Sequence, residues 1–148
     1  MFSENYARQT ALGSANQALA MDLTDGELAS LARSEEAKVR AAVAERANTP
    51  MTTLLLLAQD VAPAVRAGVA RNPRPDLPIE LRQDLAKDKS SEVVFAVIDN
   101  PATPDSVLAK LTRSFHRDYA AAAKKAIYER KHSWRREVAY GENVTQPN

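Results

Sequence analysis

A chain of 148 residues with an ordinary hydrophobic share of 45% has the length of one domain and enough apolar surface to bury a core. It has no cysteine, which excludes disulfides, thiolate metal sites and a cysteine nucleophile, and its four glycines are too few for a turn-rich barrel or sandwich. The net charge of +1 hides an uneven distribution: residues 1–112 carry 12 Lys/Arg against 15 Asp/Glu, and residues 113–136 carry eight against two.

The start, Met1 to Thr10, lacks a basic region followed by an apolar core, so no signal peptide is expected. No apolar run reaches the roughly 18 residues of a membrane span. A cytoplasmic location without membrane contact is the expectation. Tyr6, Leu12, Leu19 and several alanines give an N-terminal capping helix over 5–21.

From 24 to 124 the chain is similar to itself. Aligned on Leu31, Leu57, Leu85 and Leu111, the spacings are 26, 28 and 26. Three residues before each anchor stand Leu28, Leu54, Arg82 and Leu108, and seven before stand Thr24, Pro50, Pro78 and Pro104. Three after stand Ser34, Asp60, Asp88 and Ser114. Val39 with Val43, Val65 with Val69, and Val93 with Val97 follow at one-turn spacing.

Each class of position has a physical role. Thr24 with Glu27 makes a capping box. Proline suits the first helical turn, with Thr49 and Thr103 before it as N-caps. Ser34, Asp60, Asp88 and Ser114 are N-cap types, so a second helix is expected to start at each. Asn72-Pro73 and Asn100-Pro101 stop it, because a residue before proline is pushed out of the α region. Leu54 to Leu57 is apolar nearly all round and predicts a first helix buried between its neighbours, with an exposed partner patch as the alternative. A unit of helix, turn, helix and proline-marked turn cannot bury its apolar face alone, so stacked units must share a core.

The stretches LARSEEAKVRAAVAERANTP (31–50) and LAQDVAPAVRAGVARNPRP (57–75) resemble the leucine-rich repeat variant, a bacterial relative of HEAT-like repeats. Residues 85–104 fit with Val94 where the pattern has arginine, and 111–124 fit weakly. The resemblance implies a curved α-solenoid in which short first helices, sometimes 3₁₀, alternate with α-helices. Some members carry a cysteine-ligated iron–sulfur segment, which a chain without cysteine does not share. The family has no single activity, so the resemblance speaks to fold more than to function. The expected fold is an all-α, right-handed-type α-solenoid of about four helix pairs forming one domain over 1–140. A helix over 114–138 closes it, and a disordered tail fills 141–148.

Little in the chain signals catalysis. It lacks a phosphate-binding glycine loop, His-Glu-x-x-His and Gly-x-Ser-x-Gly. His116 and His132 read as surface histidines on a basic helix, and the carboxylate groupings at Glu35/Glu36, Asp84/Asp88 and Asp99/Asp105 read as caps or solvated faces. Some HEAT-like proteins are DNA glycosylases, but no catalytic residue maps onto this chain. No enzyme activity, cofactor or metal is therefore expected.

Two features point to binding. Arg40 and Arg66 occupy one repeat position, and each either pairs with a carboxylate or carbonyls of a neighbouring unit or belongs to a ladder that binds phosphate or acidic peptide. In the C-terminal helix, Arg117, Lys124, Tyr128, Lys131 and Arg135 fall on one stripe. Phe115, Tyr119, Ala122, Ala123, Ala126 and Trp134 fall on the opposite side. The expectation is a non-catalytic protein-interaction module whose partner is another protein. The alternative is a nucleic-acid-binding protein that uses the basic helix.

Overall fold

A computed structural model describes residues 22–141. Among these the chain is all-helical, without a strand: α1 (Asp25–Leu31), α2 (Ala37–Ala44), α3 (Met51–Leu57), α4 (Pro63–Arg71), α5 (Ile79–Leu85), α6 (Ser91–Asp99), α7 (Asp105–Leu111) and α8 (Arg117–Gly141). The helix expected over 5–21 and the tail beyond Gly141 lie outside the described residues.

Seven-residue helices are marginal in isolation, so α1, α3, α5 and α7 depend on local caps and on packing. The expected capping box starts α1: Thr24 Oγ1 accepts the Glu27 N–H at 3.2 Å, and Glu27 accepts the Thr24 N–H at 2.7 Å. Thr49 and Thr103 are not N-caps. Pro50, Pro78 and Pro104 hold that position in extended conformation, where a missing N–H is harmless. The two threonines are buried instead, and their hydroxyls donate to the Val43 and Val97 carbonyls at 2.6 Å.

The longer helices start about three residues later than expected. Ser34, Asp60, Asp88 and Ser114 each accept the N–H of the residue two further on, at 2.8–3.2 Å. They order an entry turn, and the helix begins beyond it at Ala37, Pro63, Ser91 and Arg117.

Helices α2, α4, α6 and α8 pack on one another in chain order, and each is paired with the short helix before it. Val39, Val43, Val65, Val69, Val93 and Val97 are buried between them, with Leu28, Leu57 and Leu85 from the short helices. A second patch joins Val94, Ile98, Leu108 and Leu111 to Ala123 of α8. Leu111 is buried like its counterparts, whereas Leu31 is only partly so. The leucine run divides: Leu54 and Leu57 are buried, but Leu55 and Leu56 are exposed, because a two-helix layer leaves one face of α3 in solvent. Phe115 is also corrected, since it precedes α8 in a turn and is fully exposed.

Close approach of the longer helices requires small residues. A Cβ on Gly68 of α4 would stand 2.9 Å from the Ala41 carbonyl oxygen and 3.0 Å from the Ala44 Cβ of α2. Asn72 and Asn100 tie the same stack together. The Asn72 amide donates to the Ala44 and Arg46 carbonyls, and the Asn100 amide to the Ala70 and Asn72 carbonyls, all at 2.8 Å. Each asparagine thus satisfies carbonyls at the end of the preceding long helix that the helix itself leaves open.

Candidate functional site: bridged boundaries, paired grooves and a basic helix

The entry turns bring charged groups of successive helix pairs together. Arg40 of α2 donates Nε and Nη2 to the Asp60 carboxylate at 2.7 and 3.0 Å, and Nη1 to the Ser34 and Glu35 carbonyls. Arg66 of α4 repeats the geometry one pair on. Its Nε and Nη2 reach Asp88 at 2.8 and 3.1 Å, and Nη1 reaches the Asp60 and Val61 carbonyls. Both are two-pronged bridges with little solvent access. Of the two expectations for these arginines, the structure displays the pairing with a neighbouring unit.

The bridges perturb their carboxyls. The Arg40 hydrogen bonds hold Asp60 below its ordinary pKa against the opposing effect of burial, helped by the Ala62 N–H and the charges of Arg40 and Arg66. At Asp88 burial is the largest single influence and acts upward. The Arg66 and Ser90 hydrogen bonds with the nearby Arg66 and Lys89 charges outweigh it, so the net direction is again down. The bridging of Asp60 and Asp88 raises the pKa of Arg40 and Arg66.

At the third boundary both partners are absent together: Val94 stands in the arginine position and Ser114 in the aspartate position. Arg130 of α8 reaches the neighbouring α6–α7 turn instead. It donates to the Thr103 and Asn100 carbonyls at 2.6 and 3.0 Å and pairs with Asp105 at 2.9 Å.

Two grooves open between successive short helices at equivalent positions. The groove between α3 and α5, about 440 Å³, has Ala58, Leu81 and Leu85 in its lining and exposes Gln59, Glu80 and Asp84. The groove between α5 and α7, about 420 Å³, has Ala86, Val107 and Leu111 at the equivalent places and exposes Lys87, Lys89 and Lys110. It also reaches His116 and Tyr119, whose counterparts Ser90 and Val93 do not line the first groove. Tyr119 is fixed there by an edge-on contact with Phe95 at 5.3 Å. The three lysines were not singled out from sequence. Their signal was present, because Lys87 and Lys110 align with Gln59 and Asp84 in the repeat register.

On α8, Arg117, Lys124, Tyr128, Lys131 and Arg135 are all exposed. Tyr128 stacks on His132 with ring centres 4.1 Å apart, and the His132 ring hydrogen-bonds the Tyr128 carbonyl. Opposite the stripe, Tyr119, Ala122, Ala123, Ala126 and Ile127 pack on α6 and α7. The structure therefore brings the five stripe residues together on α8 and places Arg40 and Arg66 apart from them, inside the bridges.

One buried charge has no counterpart in the sequence expectations. Arg82 occupies a repeat position held elsewhere by Leu28, Leu54 and Leu108, and it is 2% exposed. One nitrogen donates to the Arg74 carbonyl, while Nε has no partner. Burial lowers its pKa, and the Asp76 charge opposes this only in part, since Asp76 is paired with Arg74. The neighbouring loop, residues 72–78, is two residues longer than its equivalents, which accounts for the spacing of 28.

Among the described residues no group of His, Asp and Glu is placed to hold a metal ion, and no helix is long and apolar enough to cross a membrane. No protein-family model matches the chain, and no characterised protein or solved structure matches it significantly.

Proposed function

We propose that the chain is a four-pair α-solenoid of the leucine-rich-repeat-variant type, closed by α8, and that it acts as a protein-interaction module. The observation that carries this reading is the recurrence of one groove at two successive boundaries, apolar within and charged at its exposed edge. Stacked repeats offer an extended surface to a partner along their length. The Arg40–Asp60 and Arg66–Asp88 bridges support the same view, since these charges are engaged in linking successive pairs rather than free for a ligand.

The test is affinity capture from an extract of the native cell, with and without nuclease. The parent chain is compared with a variant carrying Glu80→Lys, Asp84→Lys, Lys87→Glu and Lys110→Glu. Proteins retained by the parent, lost by the variant and indifferent to nuclease are the expected outcome.

The exposed stripe on α8 favours a second reading, nucleic-acid binding. Arg117 and Arg135 bracket roughly 27 Å of helix at 1.5 Å per residue, with Lys124, Lys131 and an exposed aromatic ring between them. Four phosphate contacts would give a log–log salt slope of about −3 to −4 on duplex DNA. Lys124→Glu with Lys131→Glu would then abolish binding of labelled oligonucleotides at moderate salt without changing helix content. Absence of binding at low salt removes this reading.

A further inference from the structure

The two equivalent grooves differ in the sign of their charge. Between α3 and α5 the exposed lining carries Glu80 and Asp84. Between α5 and α7 it carries Lys87, Lys89 and Lys110, none of which is in an ion pair among the described residues. The one carboxylate lining both grooves, Asp88, is held by Arg66. Asp84 and Lys110 hold the same repeat position, directly before the anchor leucine, so the reversal occurs within a shared geometry. The basic groove is also the one whose boundary lacks an Arg–Asp bridge, and it extends to the aromatic ring of Tyr119.

We infer that the two grooves together bind one extended segment of a partner protein. The segment places an acidic residue beside an apolar anchor in the α5–α7 groove and a basic residue in the α3–α5 groove. This rests on the interaction-module reading and names the chemistry of its partner. The apolar anchor fits the lining of Val107, Leu111 and Tyr119, and the acidic residue answers the three lysines. The long helices of successive pairs pack side by side, which spaces the pairs about 8–10 Å apart, and an extended chain advances about 3.3 Å per residue, so the two charges stand roughly three residues apart in the partner. Opposite charges at fixed spacing also reject a uniformly acidic or basic segment, which would meet repulsion in one groove.

The experiment is selection of a displayed library of random short peptides on the full chain, followed by fluorescence anisotropy with the best labelled peptide. The expected sequences hold an acidic and a basic residue about three apart, with an aromatic or branched apolar residue next to the acidic one. Lys87→Glu with Lys110→Glu weakens binding about tenfold or more, and changing the acidic residue of the peptide to lysine restores it. Asp84→Lys with Glu80→Lys behaves reciprocally toward the basic residue of the peptide. All four positions are exposed, and an unchanged circular dichroism spectrum confirms that each variant is folded.

Peptides without this charge pattern, or peptides that bind the lysine variant as well as the parent, overturn the inference. So does a concentration-dependent dimer lost in Lys110→Glu, which assigns the grooves to a second copy of the chain. Nuclease-resistant capture that is lost in the four-fold variant, with no selected peptide of this charge pattern, leaves the interaction reading standing and removes only this one. Failure of both capture and selection removes both.

Discussion

The first two boundaries between helix pairs and the third solve one packing problem in two ways. At the first two, an arginine reaches forward to an aspartate of the next entry turn, and the same guanidinium covers two carbonyls of its own. At the third, Val94 and Ser114 replace both charges at once, and α8 with Arg130 and a buried alanine face supplies the contact. Aspartate occupies the turn only where an arginine precedes it by 20 or 22 residues. At these boundaries the charge is kept as a pair or discarded as a pair. Removing one member alone leaves the other without its solvent shell or its partner.

The largest predicted effect follows from that rule. Asp60→Ala or Asp88→Ala should cost about 3 kcal/mol, since each strands an arginine in a little-exposed site. Ser114→Ala at the unbridged boundary removes only the exposed His116 N–H bond and should cost about 1 kcal/mol or less. Chemical denaturation of the three variants measures the contrast, and equal losses would break it. Gly68→Leu comes next, with a loss of about 2 kcal/mol, because the Ala41 carbonyl it would strike belongs to helix backbone and yields little. Arg82→Leu goes the other way and should raise stability by about 1–3 kcal/mol, replacing an under-bonded buried cation by the residue found at the equivalent positions.

Acid sharpens the comparison. Asp60 and Asp88 have folded pKa values below their unfolded ones, so their bridges contribute in full above the unfolded value of about 4 and are lost as pH falls through the folded values. The stability gap between the parent and Asp88→Asn should therefore narrow as the pH drops below about 4. A gap independent of pH would contradict the bridge. The smallest effect belongs to the basic stripe: Lys124→Glu should leave stability within about 0.5 kcal/mol, because the side chain is exposed and away from the core.

Most of the core was legible in the sequence because apolar spacing reports directly which face of a helix is buried. Leu57, Leu85, Leu111 and the paired valines are buried as that spacing requires. Arg40 and Arg66 were legible as one repeated position, but the choice between pairing with a neighbouring unit and an anion-binding ladder needed the folded entry turns that bring Asp60 and Asp88 to them. Caps were not legible. Threonine before proline suits an N-cap by composition, yet the extended proline takes that place and frees the hydroxyl to turn inward onto Val43 or Val97. Serine or aspartate three residues before a helix satisfies the same local preference as one at its cap, so composition alone could not fix where the helix began. The grooves were illegible for a different reason. They form between short helices of different pairs, and only alignment of exposed positions such as Asp84 and Lys110 reveals that their charges reverse.

The bridge links the entry turns of successive pairs and sets the contrast with the third boundary. Its strength is measured by a double-mutant cycle of Arg66→Met and Asp88→Asn under chemical denaturation. The single variants should each lose about 2–3 kcal/mol, and the double variant should lose about 1.5 kcal/mol or more less than their sum. Losses that simply add would show that Arg66 and Asp88 do not depend on each other, and would contradict the account.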